Sequence, residues 1–65
     1  MARYSYSQVI FNQISKNADK FVQQVHKDFG SGRQNMIDAI MMYACTRRGT
    51  ATTVVDKMTK AGIQF

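Results

Sequence analysis

A chain of 65 residues with a lone Cys45 makes one small domain and has no intramolecular disulfide. One His and four Asp beside that Cys do not supply the ligand quartets of a structural zinc site, so neither metal nor cofactor is expected. Nine Lys and Arg against four Asp and no Glu leave a net charge of +5, a balance that favours a polyanionic partner. The charge is spread out, with five cations against two Asp in residues 1–35 and four against two in residues 36–65, so composition singles out no binding face.

A domain of this size buries only about 60% of its unfolded surface, and a core this small yields about 3–5 kcal/mol net. With disulfide and metal excluded, association remains as the stabilising device, and a homodimer or higher homo-oligomer is expected. Five Met residues fit adaptable packing, whether inside the core or at an interface. The first residues, Met-Ala-Arg-Tyr-Ser-Tyr, carry no apolar signal stretch, which leads us to expect a cytoplasmic location. No apolar run approaches the roughly 20 residues of a membrane span, so membrane insertion is not expected. Amides such as Gln8, Asn12, Gln13, Gln23, Gln24 and Gln34 hold many polar positions and read as a solvated surface.

The expected fold is all-α, a bundle of three or four helices forming a single domain over residues 1–65. Ser5 or Ser7 suits the N-cap of a first helix. Ile10, Ile14, Ala18, Phe21, Val25 and Phe29 then recur every three or four residues, laying down one apolar stripe. Ser15-Lys16-Asn17 interrupts good helix formers, so the stretch is one bent helix or two short ones, with Asn17 able to cap the second. Gly30-Ser31-Gly32 ends it, because glycine takes a left-handed backbone at little cost.

Ser31 with Gln34 fits a capping box at the head of the next helix. That helix is expected from about residue 32 to 47 or 48, with Arg47 and Arg48 in its last turn and Gly49 as its stop. Its segment Met-Ile-Asp-Ala-Ile-Met-Met-Tyr-Ala-Cys, residues 36–45, is apolar but for Asp38, so it should be the buried centre, covered on several sides. Residues 50–55 are β-branched enough to pass for a strand. However, Ala51, Val54, Val55, Met58 and Ala61 share one helical face, Thr50 or Thr52 can cap, and Gly62-Ile63 marks a Schellman stop, so a last helix is expected. The expected core is Ile10, Ile14, Phe21, Val25, Ile37, Ile40, Met41, Ala44, Val55 and Met58.

Nothing in the chain points to catalysis. His26 and Asp28 sit two apart, on different helix faces, and no nucleophile is tied to them. Cys45 reads as a small buried apolar residue. Gly30-Ser31-Gly32-Arg33 lacks the glycine spacing and lysine of a nucleotide loop and reads as a connection.

The segment after the central helix says more. Two helices joined by a short turn at Arg47-Arg48-Gly49-Thr50, with Thr52, Thr53, Lys57 and Lys60 opposite the apolar stripe, form a helix-turn-helix arrangement. In such a motif the second helix enters the major groove, where hydroxyls and cations meet bases and phosphates. Thr52-Thr53-Val54-Val55-Asp56-Lys57-Met58-Thr59-Lys60-Ala61-Gly62-Ile63 resembles the recognition helix of winged helix-turn-helix regulators of the MarR type. There a Thr- or Ser-rich start leads into Val-Asp-Lys/Arg-Leu and then Lys-Ala or Lys-Gly with Leu or Ile. The resemblance stops at residues 52–63, without the family's wing and without its Leu-Ala and Leu-Gly spacing in the preceding helix. Together with the helix-turn-helix arrangement, it leads us to expect a transcriptional or replication regulator touching double-stranded DNA through Arg47, Arg48, Thr50, Thr52, Thr53, Lys57 and Lys60.

The competing expectation is a small helical module that binds another protein, of the kind phages and plasmids use to modulate a host protein. Met36, Met42, Tyr43 and Phe65 are its first candidates for an interface. The two readings part on one point. Convergence of the four cations on a convex face with Thr52 and Thr53 favours DNA, and an exposed apolar groove favours a protein partner.

Overall fold

The computed structural model describes residues 6–65, in which four helices and no strands occur. Ser5, the alternative first N-cap, lies outside the described residues. Helix α1 (Tyr6–Ser15) buries Ile10 and Ile14, one turn apart. It stops where the Ser15 hydroxyl donates back to the Phe11 carbonyl at 2.8 Å and the Asn17 amide turns onto Ile14 at 3.1 Å. Residues 6–28 are therefore two helices, broken where the Ser-Lys-Asn triplet foretold. Asn17 holds the N-cap position of α2 (Ala18–Asp28), but its side chain makes no capping bond. Asp19 in the first turn and Lys27 in the last match the α2 dipole, while Asp28 at its last position opposes it. Gly30, at φ +102°, takes the left-handed turn that ends it, its amide donating to the His26 carbonyl at 3.1 Å.

Helix α3 (Arg33–Tyr43) departs from expectation at both ends. Its N-cap is Gly32 without a side-chain cap, so the Ser31–Gln34 capping box does not form. Gln34 instead reaches along the helix to Asp38, and the Ser31 carbonyl accepts from Asn35 Nδ2 at 2.9 Å. At the far end α3 stops at Tyr43, well before Arg47. Cys45 turns left-handed at φ +50°, and the Thr46 amide returns to the Met41 carbonyl at 3.0 Å. That is the long bond of a Schellman stop, with a cysteine standing where glycine is usual.

Helix α4 (Arg48–Lys60) consequently starts earlier than Thr50 or Thr52, which lie inside it, and Gly49 belongs to its first turn rather than stopping α3. Arg47 is the N-cap, without a side-chain capping bond. The C-terminal stop is as expected: Gly62, at φ +83°, donates to Thr59 at 3.1 Å, and Ile63 donates to the Met58 carbonyl at 3.0 Å.

Helix α4 packs against α3 and α1, while α2 closes the bundle from the other side by packing on the same two helices. Of the expected core, Ile10, Ile14, Val25, Ile37, Ile40, Val55 and Met58 are buried, and Phe21, Met41 and Ala44 are half-buried at its edge. Val22, Met36, Ala39, Ala51 and Val54 complete it. Each large aliphatic side chain so enclosed contributes about 1.5–3 kcal/mol through lost contact with water. Bonds to backbone carbonyls also tie distant parts of the chain together: the Tyr6 hydroxyl donates to the Ala44 carbonyl at 3.0 Å, and the Gly32 amide donates to the Phe65 carbonyl at 2.9 Å. No helix among the described residues is long and apolar enough to cross a membrane.

Candidate functional site

Around α4, with about 100° between successive residues, the expected DNA-contact residues do not share one face. Ala51, Val54, Val55 and Met58 point inward. Opposite them runs an outward ridge of Gly49, Thr53, Asp56 and Lys60, all exposed. Arg48 lies on the α3 flank, where its guanidinium donates to Asp38 Oδ1 at 3.1 Å. Lys57, about 180° away around the axis, lies on the α1 flank and donates from Nζ to Gln8 Oε1 at 3.0 Å. Thr52 and Thr50 are half-buried on the two flanks.

The ridge itself is mixed in charge. Asp56 sits between Thr53 and Lys60, and its partner is Arg33 of α3, at 2.6 Å. The Thr53 hydroxyl gives its hydrogen to the Gly49 carbonyl at 3.1 Å, which leaves it only acceptor capacity toward a ligand. Arg47, Thr50 and Thr53 border a shallow depression with Tyr6 and Ser7, and Lys60 stands apart at the other end of α4. Arg47 and Arg48, expected in the last turn of α3, instead meet the positive end of the α4 dipole, and Asp38 offsets that placement for Arg48. The one acid in the apolar run of α3 thus holds down the start of the next helix.

A more apolar feature lies on the opposite side of the bundle. Phe21, Val25 and Phe29 from α2 and its C-cap face Ala39, Met42 and Tyr43 of α3 across an open groove of about 380 Å³. Gln24 and Asp28 form its polar rim, joined by a 2.7 Å hydrogen bond from Nε2 to Oδ2. Met42 is 70% and Tyr43 56% exposed. The Tyr43 ring meets Phe21 edge to face at 5.1 Å, a contact worth about 0.5–1.5 kcal/mol that holds the wall rigid. A second depression, bordered by Lys16 and Lys20, continues past this ring pair.

Of the four residues named for a protein interface, Met42 and Tyr43 lie on this face. Met36 is wholly buried and belongs to the core, and Phe65 is half-buried against it. Phe21 and Phe29 are the groove residues that the sequence reading left out, having assigned both to an inward stripe. Cys45, expected inside, is exposed at the α3–α4 turn. Among the described residues no cluster of three His, Cys, Asp or Glu side chains stands ready for a metal ion. No protein-family model, no curated protein and no solved structure matches the chain.

Proposed function

We propose that the chain is a small protein-interaction module whose α2–α3 face takes up apolar side chains of another polypeptide. The observation that carries this reading is the groove with Met42 and Tyr43 standing exposed beside it, in a domain that has few large apolar side chains to spare for solvent. Contiguous exposed apolar surface, edged by polar groups, is characteristic of docking sites. The flexible Met42 thioether adapts to a partner's shape, and the Tyr43 ring supplies anchoring area at low entropic cost. A cytoplasmic setting belongs to the same reading. The test is a tagged chain expressed with untagged copies, recovered with and without nuclease. Protein retained after nuclease and released by Met42→Asp is the expected result, and retention that vanishes with nuclease overturns it.

A second reading, contact with duplex DNA through α4, draws on the resemblance of residues 52–63, the net charge of +5 and the outward position of Thr53 and Lys60. It requires affinity that falls with salt by a slope of about −0.9 per phosphate contact, flattened by about one contact in Lys60→Ala or Lys57→Ala. Thr53→Ala should then narrow the gap between a preferred site and random duplex, since base-edge contacts carry discrimination. Absence of duplex binding at low salt, where screening is weakest, removes this reading and leaves the first.

A further inference from the structure

We propose that the occupant of the α2–α3 face is a second copy of this chain, docked with its α2 antiparallel. The inference rests on the reading of that face as a protein docking surface and names the partner. Lys20, Gln24 and Asp28 stand at intervals of four, so they form one row along α2, and all three are exposed. Gln24 and Asp28 border the groove and Lys20 borders the depression beyond it, while Phe21 and Tyr43 line both. The charged row and the apolar surface are therefore one continuous face.

The row is antisymmetric in charge: a cation, a neutral amide, a carboxylate. A two-fold rotation about an axis through Gln24 brings Lys20 of each copy opposite Asp28 of the other and sets the two amides together. Eight residues at about 1.5 Å rise separate the charges by about 12 Å in both copies, so the rows keep register along their length. Self-complementarity of this kind is what an isologous interface requires. Parallel docking would instead set Lys20 against Lys20 and Asp28 against Asp28. The same rotation brings Met42 and Tyr43 from both copies into one contact, doubling the apolar area withdrawn from water. Helix α4 packs on α1 and α3, away from α2, so its outward ridge stays open in both copies.

Sedimentation equilibrium over a wide concentration range tests the assignment. The expected mass at high concentration is about 15 kDa, twice the 7.4 kDa chain. Lys20→Asp and Asp28→Lys, both surface changes whose folding circular dichroism verifies, should each weaken association on the order of tenfold. Mixing the two variants should restore it as a heterodimer, and the chain carrying both changes should dimerise by itself. A wild-type chain that stays at 7.4 kDa overturns the proposal, as does a dimer indifferent to both charge changes. If the wild type is monomeric while Met42→Asp still releases a different, nuclease-resistant protein, the docking reading stands and the second copy is wrong. A dimer untouched by Met42→Asp and by the charge changes overturns both.

Discussion

The two halves of α3 put the same apolar chemistry to different ends. Met36, Ile37, Ala39 and Ile40 are at most 5% exposed, enclosed by the bundle, whereas Met42 and Tyr43, half a turn to a turn further on, remain 70% and 56% exposed. Folding alone accounts for the first group, since each side chain leaves water when the helices close. It does not account for the second, which adds apolar surface that the monomer never covers. Apolar surface that folding leaves in water is where a reason outside the fold is to be sought, and on α3 it lies together at the edge of one groove.

The contrast can be broken most severely at its buried end. Ile40→Asp places a carboxylate where no partner or water reaches, at a cost of about 4 kcal/mol or more, comparable to the whole stability of a domain this small. Its cooperative thermal transition should disappear. A finer comparison makes one chemical change on each side. Met36→Ala should cost about 2–4 kcal/mol through lost burial and the cavity left behind. Met42→Ala, measured at dilution where the chain is unassociated, should stay within about 0.5 kcal/mol of wild type. Denaturant titration of the two variants side by side decides it, and equal losses would remove the distinction between the halves.

At the boundary between α3 and α4, Cys45→Gly should raise stability by about 0.5–1 kcal/mol, because the left-handed backbone there strains any side chain. Chemical denaturation would reveal a fall instead if the cysteine side chain contributes to the turn. The smallest effect belongs to Arg48→Ala, which removes a half-exposed pair with Asp38. It should cost at most about 1 kcal/mol, and less in molar salt, as melts at two ionic strengths would register.

Where a helix ends at a glycine of positive φ, as at Gly30 and Gly62, its stop was legible, because the residue type announces the backbone it permits. The end of α3 was not. Cys45 takes the glycine's place there, and Gly49, the obvious candidate, sits in the first turn of α4. The early stop moved Arg47 and Arg48 from the last turn of α3 to the start of α4, where Arg48 pairs with Asp38. The groove was hidden for a related reason. When nearly every residue from 36 to 45 is apolar, periodicity marks no outward side, and only the packing of α2 and α4 determines which residues stay uncovered. Met58, Val55 and Ile40 were identifiable because polar residues flank their faces or because they fall midway along the run.

The tie between the Gly32 amide and the Phe65 carbonyl joins residues far apart in sequence through a single proton. Helical amides are held by neighbours a turn away and stay protected through partial openings, but this one is protected only while the tail rests against the α2–α3 loop. Its hydrogen-exchange rate therefore counts how often that tail lifts, independently of whether the helices themselves unravel. Gly32 is a built-in reporter of local opening, resolvable as one peak in a spectrum of the intact chain.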